Sequence, residues 1–312
     1  PGGFSALSST VTPATVPAAP KIGAVTRGST TALVTWAAPA SDGGSAVTGY
    51  SVKVVSAGSG LQVGVVRQAA AGATTLTLTG LINGSAVRFQ VQAANAMGSS
   101  ALSAPSNAVI PATLAGAPTI GAAARGNASA LVRWAAPVSN GGSVVTGYSV
   151  RVVNAAGQQV GALRLAGAGA RSLTVTRLVN GAAVRFQVRA GNAVGAGLFS
   201  ARSNTVTPAK APSAPLIQTS WSGFARGPVN AVARWSPPVS NGGLAVNGYV
   251  VTAYRLNAAR RVVLTVTSAV QAASLRSLRM SLPPGSYRFV VQARNVVGLG
   301  APSARSNLVS AR

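Results

Sequence analysis

The chain has 312 residues, enough for two or three domains, and sets 26 Lys and Arg against a single acid, Asp42, for a formal charge of +25. It contains no cysteine and no histidine, which removes disulfides, thiolate chemistry, the commonest general base and the commonest metal ligand. One carboxylate is too few for paired-carboxylate hydrolysis, an acid-oriented triad or a calcium cage, so the expectation is no enzyme, no metal and no cofactor.

No apolar run approaches the ~18 residues that a membrane-spanning helix needs. Pro1 is not a natural start, so either a leader has been removed or the chain is a piece of something longer. The charge itself leaves two readings open. One is a true polycation, suited to DNA, RNA, or anionic polysaccharide or lipid. The other is a chain whose acids stand written as alanine, glycine, serine or amides, as Ala258-Ala259 and Ala272-Ala273 suggest, and then charge says nothing about partners.

The chain opens on FSALSSTVTP, Phe4 to Pro13, and the string returns at Phe199 to Pro208 as FSARSNTVTP, where it closes a unit. Trp36, Trp134 and Trp235 set the period, with gaps of 98 and 101 residues. After each comes the same course: WAAPASDGGSAVTGY, WAAPVSNGGSVVTGY and WSPPVSNGGLAVNGY, ending at Tyr50, Tyr148 and Tyr249. Such a period fits a whole small domain better than a solenoid unit. The expected division is 1–13, the last strand of a preceding repeat or a donor strand, then domains at 14–111, 112–208 and 209–312.

Within a unit the apolar period is two. Val87, Phe89, Val91 and Ala93 alternate with Arg88, Gln90 and Gln92, and turn formers such as Asp42-Gly43-Gly44 and Asn83-Gly84 separate the runs. The first unit's expected strands are Lys21–Val25, Ala32–Trp36, Thr48–Ser56, Gln62–Arg67, Thr74–Thr79, Ala86–Ala94 and Asn107–Ile110. No segment holds a helical period. The fold class is all-β, with three tandem seven-stranded antiparallel β-sandwiches. The proline- and alanine-rich stretches Val16–Pro20, Leu114–Pro118 and Lys210–Pro215 read as semi-stiff linkers, which favours a rod-like arrangement.

The Trp of the second strand, the Gly-Tyr opening the third, the corners Leu81-Ile82-Asn83-Gly84 and Leu178-Val179-Asn180-Gly181, and Asn95 to Gly98 after the sixth strand resemble the fibronectin type III family, an immunoglobulin-like sandwich. The Gly-Gly turn and the alanine-rich style resemble its bacterial members. The resemblance implies a tyrosine corner at the sixth strand. Tyr287 fills it in the third unit, but Val87 and Val184 stand there in the first two, which implies looser corners.

Several residues invite a functional reading. Lys53, Arg88, Arg151, Arg185, Arg189, Arg288 and Arg294 all fall on the wet face of the third and sixth strands. They could grip an anionic polymer, but a solvated face that keeps sheets apart explains them as well, and base stacking would need aromatics that the stripe lacks. The third unit carries four extra residues around WSGFARG, with Trp221, Phe224 and Arg226. An interface anchor is one reading; the preferred one is an elongated first hairpin with its aromatics folded back. Phe4, Leu7 and Val11 belong to the opening strand, either the tail of a preceding repeat or a strand donated to a neighbour. The third unit has its own closing strand near Asn307 to Ser310 and needs no donor, which favours the array. Asp42 reads as turn chemistry, since Asn140 and Asn241 occupy the same place.

The expected function is a non-enzymatic structural or adhesive array in a secreted or cell-surface bacterial protein, as spacer, stalk or extracellular fibre unit. Its partners would be neighbouring repeats or copies of itself, with an anionic cell-surface polymer as a further candidate. No small-molecule substrate is expected, and nucleic acid is disfavoured. The alternatives are accessory modules of a secreted polysaccharide-degrading enzyme, a cationic binder of anionic glycan or nucleic acid, and a virion fibre component. Peptide mass spectrometry separates the two readings of the charge. Peptides with a single acidic residue leave the polycation standing, and Asp or Glu at the alanine pairs removes it.

Overall fold

The computed structural model describes residues 13–223 and 229–311. It holds three successive antiparallel sandwiches. In the first, β1 (Lys21–Arg27), β2 (Thr31–Ala37) and β5 (Thr75–Thr79) form one sheet, and β3 (Gly49–Ser56), β4 (Arg67–Ala70), β6 (Val87–Asn95) and β7 (Gly98–Ser99) form the other, in the order β4-β3-β6-β7. In the second, β8 (Thr119–Ile120), β9 (Ala124–Gly126), β10 (Ser129–Ala135) and β13 (Ser172–Thr176) face β11 (Val145–Val153), β12 (Arg164–Gly167), β14 (Arg185–Asn192) and β15 (Gly195–Ala196). In the third, β16 (Leu216–Ser222), β17 (Asn230–Ser236) and β20 (Ser277–Ser281) face β18 (Gly248–Leu256), β19 (Val262–Thr267), β21 (Gly285–Asn295), β22 (Gly298–Leu299) and β23 (Val309–Ala311).

Each sandwich buries its own core, so each unit is stabilised independently. The alternating residues Val87, Phe89, Val91 and Ala93 of β6 all face inward against Trp36, Tyr50 and Val52. The same places hold Phe186, Val188, Trp134 and Tyr148 in the second unit, and Phe289, Val291, Trp235 and Tyr249 in the third. Each fully buried Val or Phe contributes roughly 1.5–3 kcal/mol. The Trp and Tyr rings meet at a tilt with centroids 5.4, 5.4 and 5.3 Å apart in the three units, a geometry that aromatic quadrupoles favour.

The closing segment differs from the expected seventh strand. Residues 107–110 make only one bridge, Val87 to Val109. Ahead of it, three serines run along the outer edge of β6 at a spacing of three. Ser100, Ser103 and Ser106 donate their N–H to the carbonyls of Ala93, Val91 and Phe89. Their Oγ atoms accept the N–H of the same three residues at 3.0–3.1 Å. A serine hydroxyl thus replaces the backbone carbonyl of a regular ladder, which lets a segment containing Pro105 pair without a strand's period of two. Ser200 and Ser203 repeat this on Val188 and Phe186, and Ser303 and Ser306 on Val291 and Phe289.

The fourth strand also moves. Gln62 makes one bridge to Val55, Gly64 turns the chain at φ 71°, and pairing resumes as β4 from Arg67. In the third unit strands β16 and β17 are as long as β1 and β2, and residues 224–228 of the extra stretch lie outside the described residues. Trp221, on β16, is 54% exposed, with the Arg234 guanidinium 4.5 Å from its ring. Phe224 and Arg226, like Phe4, Leu7 and Val11, lie outside the described residues.

Tyr287 does form the corner bond, donating its hydroxyl to Pro283 O at 2.8 Å. Burial pushes its phenol above the ordinary 10.0, with the nearby Arg255 opposing. The folded state therefore keeps a proton that the unfolded chain releases. Stability of the third sandwich should fall as pH rises through about 10, and Tyr287→Phe should remove that dependence in denaturant titrations. Separately, Ser200→Ala leaves the buried Val188 N–H unpaired, and should cost the second sandwich about 1–3 kcal/mol by the same measurement.

Candidate inter-repeat joint

The turn after each tryptophan strand is built by side chains acting on backbone. Ser41 Oγ accepts from Gly43 N–H at 3.1 Å, and Asp42 Oδ1 from Gly44 N–H at 3.0 Å. Ser139 with Asn140, and Ser240 with Asn241, make the same pair of bonds. Both glycines are left-handed in every copy, with φ between 74° and 98°. The Asp42 carboxylate is thus engaged as an amide would be.

A buried asparagine clasps this turn to the incoming chain. Asn95 Nδ2 donates to Thr15 O and Asp42 O, both at 2.7 Å. Asn192 does so to Thr113 O and Asn140 O at 2.8 Å, and Asn295 to Lys210 O at 2.8 Å and Asn241 O at 2.9 Å. Each amide also accepts the N–H two residues on, that of Met97, Val194 or Val297. The Asn-x-x-Gly motif is therefore the anchor of the segment that enters the unit.

At the first junction consecutive residues are bonded to opposite sides. Pro111 O accepts from Gly84 N–H, and Ala112 N–H donates to Gly28 O, both in the first unit. Thr113 N–H then donates to Gly141 O of the second. The second junction repeats this as Gly181 to Pro208 O, Ala209 to Gly126 O and Lys210 to Gly242 O. No unbonded residue separates the units. The stretches 114–118 and 210–215, expected to be linkers, instead lie against the next unit's turn, where Gly116 bonds Ser139 O and Ser213 bonds Ser240 O.

Across each junction an Asn-Gly corner faces a Gly-Gly turn. A Cβ on Gly84 would sit 3.2 Å from Gly142 Cα, and one on Gly142 would sit 2.6 Å from Asn83 C. For Gly181 and Gly243 the figures are 3.3 Å, and 2.8 Å from Asn180 C. The corner itself is not loose. Asn83 Oδ1 accepts from Thr30 N–H and Asn180 Oδ1 from Ala128 N–H, both at 2.8 Å. This replaces the missing tyrosine bond. The third unit has Leu282-Pro283-Pro284-Gly285 there, one residue shorter and without the asparagine.

The seven basic residues lie on the outer faces of β3, β6, β11, β14 and β21, separately in each unit. Lys53 stands opposite Gln90, and Arg294 is exposed opposite Gly248. Arg88 and Arg288 reach Ser106 O and Ser306 O, and Arg185 reaches Thr205 Oγ1. Arg151 holds Gln187 Oε1 at 2.8 and 3.0 Å. The stripe does contain aromatics, against expectation. The Arg151 and Arg189 guanidiniums lie 4.0 and 4.8 Å from the Phe199 ring, and Arg305 lies 5.3 Å from Tyr254. Phe199 comes from the serine segment, which packs outside β14, so strand alternation alone does not reveal it. Asn83 is visible in the sequence as a turn former and Asn95 as part of the motif after the sixth strand, but neither pattern shows what its side chain holds.

Gly142→Ala and Gly44→Ala test the joint. Both force alanine to positive φ, costing roughly 1–2 kcal/mol. Only Gly142→Ala also collides with a facing corner, so only it should widen the distance distribution between spin labels in the first and second units.

Residues 18–109 and 116–206 match the fibronectin type III domain, together more than half of the chain. Exoglucanase B from Cellulomonas fimi is 30% identical over 303 residues, covering 91% of this chain and 24% of that protein. A crystal structure of chicken CNTN1 FN1-FN3 domains is 18% identical, covering 96% of this chain and 100% of that one, with a TM-score of 0.32. The chain belongs to the fibronectin type III family.

Proposed function

We propose that the chain is a stiff, non-catalytic spacer of fibronectin type III units, with domains meeting at 111/112 and 208/209, in a secreted or cell-surface bacterial protein. The observation that carries this is the pair of junctions without a free residue. A joint in which every residue is bonded to one unit or the other holds its angle, whereas a flexible linker would let the units swing. One acid and no histidine or cysteine in the whole chain support a role without chemistry of its own. Its partners are the units before and after it.

A second reading places the spacer inside a polysaccharide-degrading enzyme, as accessory modules. The likeness to Exoglucanase B supports it, although the chain spans only about a quarter of that protein. The two readings are compatible, because a spacer between other domains is still a spacer.

The chain has no cysteine, so labels can be placed singly. Spin labels on Ser59→Cys with Ala156→Cys span the first joint, and on Ala156→Cys with Ala258→Cys the second. All three positions are exposed turns. Each pair is expected to give one narrow distance distribution, unchanged between low and high salt. Broad distributions would sink the spacer reading. In parallel, the chain is expected to release no sugar from insoluble glucan, and release would make it catalytic.

A further inference from the structure

The front of the first unit carries half of the same joint. Thr15 N–H donates to Gly43 O at 2.7 Å, and Asn95 holds Thr15 O, as at Thr113 and Lys210. Among the described residues the other half has no counterpart. At the two internal junctions the preceding proline carbonyl accepts a corner glycine, and the next alanine N–H reaches the preceding unit. Pro13 O and Ala14 N–H have no such partner among the described residues. Pro13 and Ala14 are exposed, whereas Pro111, Ala112, Pro208 and Ala209 are buried. Gly44, the counterpart of Gly142 and Gly243, has Pro13 and Ala14 as the nearest neighbours of its would-be Cβ among the described residues, where Gly142 and Gly243 meet the corner of the preceding unit.

We propose that Pro13 to Thr15, with the Asp42-Gly43-Gly44 turn, is the receiving half of a third joint. Its occupant is the Leu-x-Asn-Gly corner of another fibronectin type III repeat feeding into Pro13. The proposal rests on the spacer reading above. The chemistry is specified by the two filled examples: a glycine N–H for the Pro13 carbonyl, a backbone carbonyl for Ala14 N–H, and a glycine face that tolerates no Cβ against Gly44. A second copy of this chain cannot supply that corner. Asn83-Gly84 and Asn180-Gly181 are already engaged, and the third unit offers Pro283-Pro284. Proline has no N–H to give, and the glycine that follows, Gly285, is paired with Ala311 inside its own sheet. The joint is therefore directional: the chain receives a repeat at its front and offers no matching corner at its back.

The test extends the full chain. A copy of residues 112–207 is placed directly ahead of Pro13, so that its Asn180-Gly181 corner can reach the empty turn. A label at the copy's counterpart of Ala156 is paired with Ser59→Cys. The expected result is a distribution as narrow as that across the internal joints, and its broadening by Gly44→Ala. The same copy appended behind the third unit should give a broad distribution against Ala258→Cys. Narrow internal joints with a broad front joint would overturn this proposal alone, while broad internal joints would overturn the spacer reading beneath it. A dimer of the unextended chain that Gly44→Ala abolishes would also overturn it, by showing that a second copy fills the turn.

Discussion

The contact on which the arrangement depends is backbone against backbone. Where Gly84 meets Gly142, and Gly181 meets Gly243, the two chains approach to a distance that excludes any side chain. Glycine meets two demands at once there. It takes a left-handed φ without strain, and it lets a facing peptide come close enough for the carbonyls of Pro111 and Pro208 to be bonded from one side while Thr113 and Lys210, two residues on, are bonded from the other. A joint made this way leaves no slack, because each residue of the connection has a bonded partner.

The same loop explains why the third unit differs. The corner before the sixth strand can be tied down inside its own unit or presented to a neighbour. In the third unit the Tyr287 hydroxyl ties it to Pro283, and prolines fill the tip. In the first two a valine replaces the tyrosine, and the asparagine holds the corner from Thr30 or Ala128 while its glycine N–H is spent on the connection. Thr30 and Ala128 take φ of 55° and 46° to do this, a strain of roughly 1–2 kcal/mol that the corner's bonds offset. Substituting valine for tyrosine thus accompanies a change in what the corner is for, not a loosening.

Much of the fold was legible in the residues because a sandwich core leaves a plain signature. Side chains alternate, and Val87 to Ala93 cannot face inward in any other register. The Trp and Tyr of each unit stand at a constant spacing because they meet across the core. What could not be read is what breaks the period. Ser100, Ser103 and Ser106 pair with a strand at a spacing of three, so they do not look like one. That same segment delivers Phe199 to a face where alternation shows only arginines and polar residues. The joint was hidden differently. Asn-Gly and Gly-Gly are ordinary turn signals, and nothing in a linear pattern says that one unit's turn will be pressed against the next unit's corner.

The shortage of acids bears less on these conclusions than the net charge suggests. Arginines in this fold lodge on acceptors that every chain has. Arg171 and Arg276 each bond two nearby carbonyls, Arg88 and Arg288 bond serine carbonyls, and Arg151 bonds an amide. Others stack on Phe199, Trp221 and Tyr254, contacts worth about 0.5–1 kcal/mol at exposed sites. The single carboxylate does a task that Asn140 and Asn241 do equally well. Among the described residues neither the cores nor the joints draw on an ion pair, so the fold and the bonding of the joints stand whichever way the surface charge is read. Only the partner of the basic faces depends on it, since a face of arginines attracts a polyanion in proportion to the charge left unscreened around it.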